Sequence, residues 1–251
     1  MSRGAPVVVI AGIGGCSFVL ASAVVSLRLL LLASRTRELP EFLIGLGLLL
    51  MGGLGYPIAT AARMLGDGSE LRTWLFATQA LFTLAGQSGV VLFTWHVFRR
   101  DDAWARALAI AFISSMAVLF VWQTASPGWR ELSLNDLGPW TWSQYHSMTA
   151  LGWAGLESLY FHMKLRKRLS LGLADAVTAD RLRLWAIAMF SAFTISMVAS
   201  FLRGIGVPMT TEVMGLLVGP LGVAAASATW LAFMPPHRYV RWIEARAGAR
   251  A

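Results

Sequence analysis

Seven apolar runs constrain this chain more than anything else in it. They cover 7–33, 41–64, 73–98, 104–123, 141–163, 183–203 and 210–233. Each is close to or above the ~20 residues an α-helix needs to cross a bilayer. The links between them are short, so no soluble domain fits anywhere. The expected fold is therefore all-α and polytopic: a seven-helix transmembrane domain over 1–234 and a cytoplasmic interfacial tail over 235–251. Composition agrees, since 57% of the residues are hydrophobic and 14% charged, against about a quarter charged in soluble chains.

The net charge of +8 raises nucleic acid as a partner, and the positions of the charges exclude it. Lys and Arg flank the apolar runs and form no single basic surface. Of the 21, 16 fall on one side: Arg28, Arg35, Arg37, Arg99, Arg100, Arg106, Lys164, Arg166, Lys167, Arg168, Arg181, Arg183, Arg238, Arg241, Arg246 and Arg250. The other five are Arg3, Arg63, Arg72, Arg130 and Arg203. The positive-inside rule makes the richer side cytoplasmic, with the N-terminus outside and the C-terminus inside a bacterial-type inner (plasma) membrane. Tryptophans mark both interfaces independently: Trp74, Trp122, Trp129, Trp140 and Trp142 at outer ends, Trp95, Trp104, Trp185, Trp230 and Trp242 at inner ends. The apolar run from Pro6 to Ala33 is too long for a signal peptide, so a retained first span is expected. A single cysteine, Cys16, excludes an internal disulfide framework and any iron–sulfur or thiolate-zinc site built from this chain alone.

One run differs from the rest. Residues 140–168 read WTWSQYHSMTALGWAGLESLYFHMKLRKR. His146, Thr149, Trp153, Glu157 and Tyr160 follow at spacings of 3, 4, 4 and 3, one face of a helix. A carboxylate facing hydrocarbon costs several kcal/mol, so that face is expected to look inward. Gln87, His96 and Arg28 are candidate partners for Glu157. Span 3 carries its own polar stripe, Gln79, Thr83, Gln87 and Thr94, which would line a cavity if it faced the His146–Tyr160 stripe. The bland alternative is helix-to-helix glue, worth about 0.6 to 2 kcal/mol per hydrogen bond.

Ser26-Leu27 leading to Arg35 in span 1 is similar to Ser158-Leu159 leading to Arg166–Arg168 in span 5. Thr94-Trp95-His96-Val97-Phe98 in span 3 is similar to Thr229-Trp230-Leu231-Ala232-Phe233 in span 7. At the level of topology the chain thus resembles the three-plus-one-plus-three seven-helix proteins, which include SWEET-type carriers and microbial rhodopsins. The resemblance covers span count and orientation and no family motif. The Pro-Gln signature of the carriers is absent. Covalent retinal is not expected either, because span 7 has no lysine and the chain's lysines, Lys164 and Lys167, lie at one helix end.

The remaining candidates have simpler readings. Haem held by His96 and His162 is not expected, since no helix carries a His-x-x-x-His or Glu-x-x-His pair and no metal site is visible. Glu212 reads as a helix cap, Arg63 and Arg203 as snorkelling anchors. Lys164, Arg166, Lys167 and Arg168 read as an anionic-lipid contact. Glycines in span 2 (Gly45, Gly47, Gly52, Gly53, Gly55) and span 7 (Gly215, Gly219, Gly222) allow close helix packing within the bundle or between copies in a homo-oligomer. Pro57 and Pro220 are expected to distort their helices. In the tail, Tyr239, Trp242 and Ile243 share one face of a short amphipathic helix.

No nucleophile elbow, phosphate loop or pair of catalytic carboxylates is visible, so the chain is not read as an enzyme. The leading expectation is a transporter-like protein that binds a small molecule or lipid in a central polar cavity walled by spans 3, 5, 6 and 7. Glu157 would be its coupling or anchoring group, with His146, Tyr160, Trp153, Gln87, Gln79 and Thr83 around it. The alternatives are a seven-helix sensor signalling to a separate cytoplasmic partner, and a structural or assembly subunit.

Overall fold

Charged, glycine and proline residues interrupt the apolar runs, and the helices begin and end at those interruptions. The computed structural model describes residues 5–65, 69–126, 139–205 and 211–248. The described residues form eight helices and no strand: α1 Ala5–Thr36, α2 Leu39–Met64, α3 Glu70–Phe98, α4 Ala103–Ala125, α5 Pro139–Leu169, α6 Ala176–Gly204, α7 Thr211–Phe233 and α8 His237–Gly248. Trp129, Arg130 and Arg3 lie outside the described residues, as do the side chains of Trp140, Arg203 and Glu212.

Six helices, α1 to α4, α6 and α7, are long and apolar enough to cross a membrane. Helix α5, at 31 residues, is long enough but falls short in apolarity. Ser143, Gln144, His146, Ser147, Glu157, Ser158 and His162 dilute it. The outside of the bundle is oily: Leu20, Leu31, Ile110, Val118, Leu156, Phe201 and Leu216 are each 60–67% exposed. A soluble protein hides such residues, so this is the surface of a multi-pass membrane protein. Leu156 belongs to α5, whose outward face is as greasy as its neighbours'.

Neighbouring helices alternate in direction. Gly52 of α2 approaches Ser22 while Gly45 approaches Leu29 and Leu30, so α1 and α2 are antiparallel. Gly89 meets Leu43 and Gly86 meets Gly47 and Met51, so α2 and α3 are antiparallel too. Gly155 packs on Phe190 and Gly152 on Phe193 between α5 and α6. Helices α1 and α7 run side by side in the same direction, with Gly14 against Gly219 and Gly222, and the Arg28 Nη1 donating to the Phe233 carbonyl at 3.3 Å. Helices α3 and α5 are likewise parallel. Together α1, α2, α3, α5, α6 and α7 close a ring, and α4 packs on its outside against α3 and α5.

The ring has no hole. Val25, Leu29, Ile44, Leu48, Val90, Leu151, Ala154, Leu184, Trp185, Met189, Ala228 and Ala232 meet in one apolar core contributed by all six ring helices. Glycine sets the spacing at two seams. A Cβ on Gly14 would sit 2.6 Å from the Gly219 carbonyl oxygen, and one on Gly89 would sit 2.8 Å from that of Leu43. No side chain fits there, so these backbones touch directly. The glycines of α2 and α7 are thus largely occupied within one chain.

Helix α2 widens into π geometry over Leu49–Gly55, immediately before Pro57. Proline lacks an N–H and its ring collides with the carbonyl four residues back. A wider turn relieves that collision. Gly55 is required by it, because the Leu50 carbonyl oxygen lies 2.7 Å from where a Cβ would stand. Proline thus acts here through a π turn.

The tail helix α8 follows Pro235 and Pro236 and packs on α6. Ile243 is buried, and the Tyr239 hydroxyl donates to Asp180 Oδ2 at 2.7 Å. Burial, and then this hydrogen bond, push the Tyr239 phenol above its ordinary pKa. Asp175 opens α6 as an N-cap, accepting from the Thr178 backbone N–H at 2.8 Å and hydroxyl at 2.6 Å.

Candidate functional site

The polar residues gather off the bundle axis, between α3, α4 and α5, in two groups. Helix α5 supplies both because its inward face repeats every three to four residues. The first group surrounds Gln87, which is fully buried. Its Nε2 donates to the Ser147 hydroxyl across the α3–α5 seam, while its Oε1 is buried without a partner. One turn away on α3, Gln79 Nε2 donates to Thr83 Oγ1 at 2.7 Å. Gln79, Thr83, Gln123, Ser143, Gln144 and Ser147 line a cavity of about 30 Å³, room for about one water molecule. An unsatisfied carbonyl oxygen in such a place is a standing preference for a hydrogen-bond donor.

His146 adjoins this group from the α4 side. Its Nδ1 lies 3.1 Å from the Trp142 carbonyl and its Nε2 2.8 Å from the Ser115 hydroxyl. The first contact makes Nδ1 the protonated nitrogen and Nε2 the acceptor. The ring also lies 5.6 Å from that of Phe112.

The second group sits about 15 Å further along α5, ten residues from Ser147 at 1.5 Å per residue. Glu157 is 7% exposed. Arg99 Nε donates to both of its carboxylate oxygens at 3.0 Å, and Trp153 Nε1 donates to Oε1 at 3.4 Å. Arg99 is the residue where α3 ends, and its backbone N–H still bonds the Trp95 carbonyl at 2.8 Å. Its Nη1 donates to Asp102, the residue before α4, at 3.3 Å. The guanidinium lies over Trp104, Tyr160 and Phe161, at 5.6, 5.2 and 5.9 Å from the ring centroids. One arginine therefore ties the α3–α4 corner to the middle of α5 through a carboxylate and an aromatic box. The hydrogen bond to Glu157 raises the Arg99 pKa further, so the guanidinium stays charged.

Ala150, Val91, Phe112 and Met116, packed together with Trp153, fill the space between the groups. The expected face of α5 is therefore real for His146, Trp153, Glu157 and Tyr160. It breaks at Thr149, which is exposed and bonds back to the Tyr145 carbonyl. None of the expected partners of Glu157 holds it. Gln87 is taken by Ser147, Arg28 by the Phe233 carbonyl, and His96 stands beside Trp95. Arg99 was read only as a topology marker, because a cation at a helix end is ordinarily one. Thr94 of the α3 stripe is fully buried and bonds Val90 within its own helix. The walls also differ from those expected: α4 contributes through Ser115 and Gln123, while α6 and α7 meet the apolar core instead. Ser115 and Ser147 carried little signal, being single hydroxyls in apolar helices.

Lys164, Arg166, Lys167 and Arg168 are exposed, and the Lys164 ammonium lies 4.4 Å from the centroid of the Tyr160 ring. His162 faces α6, with Nδ1 2.7 Å from the Ala179 carbonyl. Among the described residues, no three His, Cys, Asp or Glu side chains are grouped as metal ligands would be. Comparison with protein-family models, curated protein sequences and solved structures gave no match.

Proposed function

We propose that this chain is a seven-span, non-enzymatic protein of the cell's inner (plasma) membrane, N-terminus outside and C-terminus cytoplasmic. In this reading it binds a small molecule or lipid against the α3–α4–α5 face in a transporter-like manner, with Glu157 as the coupling or anchoring group. Two facts support counting α5 as the seventh span. It runs parallel to α3 and antiparallel to α6 along their length, and at 31 residues it extends about 46 Å. The uneven distribution of Lys and Arg supports the orientation.

The observation that carries the functional reading is the buried Glu157 carboxylate clasped by Arg99 where α3 turns into α4. A paired charge inside a membrane bundle gains little net stability over an apolar substitute, which favours a role beyond packing. A substrate cation or a proton arriving at Glu157 competes with Arg99 and frees the α3–α4 corner. The Gln87–Ser147 cleft lies on the other side of an apolar layer, which is the arrangement of a path closed in the middle.

The test is mass spectrometry of molecules retained by gently solubilised wild type beside Glu157→Gln. A stoichiometric small molecule or lipid present in the wild type and lost in the variant supports the reading. If neither retains a molecule and the substitution only lowers thermal stability, the carboxylate is structural and the reading fails.

A further inference from the structure

A second concave site lies away from Glu157, where the end of α5, the start of α6 and the tail helix α8 meet. It is a cleft of about 440 Å³, within the range of about 300–1,000 Å³ typical of small-ligand sites. Three guanidinium groups from three helices line it: Arg166 of α5, Arg183 of α6 and Arg246 of α8. One carboxylate, Asp180, shares the wall, but both of its oxygens are occupied. Oδ2 accepts from Tyr239 at 2.7 Å and Oδ1 pairs with Arg183 at 2.5 Å. Arg246 rests on the Trp242 ring, 5.2 Å from its centroid. Arg166 has no hydrogen bond or ion pair among the described residues.

The cleft is therefore net positive and holds two cations without a carboxylate partner. Leu169, Trp242 and Ile243 give it an apolar side. Arginine presents a planar fork of N–H donors that matches a phosphate better than a lysine's point charge does. Lysine is absent from the lining, although Lys164 and Lys167 stand on the same helix end. We infer that this cleft binds a phosphate group carried on an apolar or glycerol-like body, gripped by Arg166 and Arg246 with Arg183 beside them. The α8 helix, anchored by Tyr239 and Ile243, forms its third wall, so the tail is part of a binding site rather than a loose appendage. The inference does not depend on the role of Glu157.

Two sources offer this chemistry: the headgroup of a membrane phospholipid and a free phosphorylated metabolite. Native mass spectrometry of the full chain in detergent distinguishes them. One arm titrates dioleoyl phosphatidate, the other glycerol 3-phosphate, against wild type and two double variants of equal charge loss. Arg166→Gln with Arg246→Gln removes the cleft cations; Lys167→Gln with Arg168→Gln removes neighbours outside it.

One bound equivalent of either probe is expected in wild type. Affinity should fall by about tenfold or more in the cleft variant, since charge-assisted hydrogen bonds are lost, and stay unchanged in the outer one. The arm that binds names the source. No one-to-one binding of either probe overturns the inference, and so does equal weakening in both double variants, which would mean diffuse attraction. Unfolding temperatures of the two variants, measured alongside, show that each retains its fold.

Discussion

The two sides of this bundle solve the problem of holding helices together by opposite means. On the α1–α2–α7 side, glycines let backbones touch, and Gly14, Gly219 and Gly222 bring α1 and α7 together with no side chain between them. On the α3–α4–α5 side, the helices stand off behind large and polar groups: Gln87 to Ser147, His146 to Ser115, Arg99 to Glu157. Inside a membrane the hydrophobic effect does not favour helix against helix over helix against lipid, so van der Waals fit and hydrogen bonds are what remain. The glycine side uses the first and the polar side the second. A seam of directly touching backbone has one good arrangement. A seam of side-chain hydrogen bonds can exchange partners, which is why the site is sought there.

Substitutions break this contrast in graded steps. Gly219→Leu should be the most damaging, because any Cβ there overlaps Ile10 and α1 must move away. A loss of about 3 kcal/mol or more is expected, at or beyond the upper end of overpacking costs, read as a large drop in unfolding temperature in detergent. An unchanged temperature would mean that α1 and α7 do not meet through these glycines.

Glu157→Ala should come next. It strands the Arg99 cation, and the full cost of about 3–5 kcal/mol for an orphaned buried charge is reduced because Arg99 is 25% exposed. About 2 kcal/mol is the expected loss. The double change Arg99→Met with Glu157→Met should recover most of it. Failure to recover would show that the two groups do not act as a pair.

Ser147→Ala should cost about 0.6–1.7 kcal/mol, the range of interhelical hydrogen bonds in membranes, and Gln87→Leu a similar amount or less, since Leu also removes the unsatisfied Oε1. Chemical denaturation of both variants checks the order.

Asp175→Ala lies outside both seams and calibrates the scale at about 1 kcal/mol, the value of an N-cap. Its effect has a definite pH sense. The Thr178 hydroxyl bond, ahead of the backbone bonds to Thr178 and Val177, holds the Asp175 carboxyl below its ordinary value of 3.8. The cap's contribution is then complete above that ordinary value and fades as pH falls through the lowered one. A difference between wild type and variant that persisted far into acid would contradict the capping geometry.

The helices were legible because the period and length of apolar runs are local properties, and the observed ends differ from the expected ones by a few residues at most sites. Span 6 is the exception: α6 begins at Ala176, seven residues before the expected 183, because Asp175 caps a polar first turn that apolarity does not register. The inward face of α5 was legible for the same reason as the spans, since helical spacing alone places His146, Trp153, Glu157 and Tyr160 together. What those residues touch was not legible. Arg99 reaches Glu157 across 58 positions of sequence, and its identity as a helix-end arginine signalled only topology. The basic cleft was hidden likewise, because Arg166, Arg183 and Arg246 belong to three segments whose approach depends on the docking of α8.

The π turn of α2 has a consequence for how this chain can change. Each wide turn holds an extra residue, so the halves of α2 before Leu49 and after Gly55 are out of phase with a regular helix. Deleting one residue between these points would let the strand of hydrogen bonds re-form in ordinary α register, rotating Tyr56–Met64 by roughly a quarter turn about its own axis (about 100° per residue). Tyr56 would leave its place against Gly15, and Ala59 and Ala62 would leave the interior. The segment thus works as a phase adjuster: it is the point in the bundle where a one-residue change in length becomes a change of face instead of a break in the chain's path.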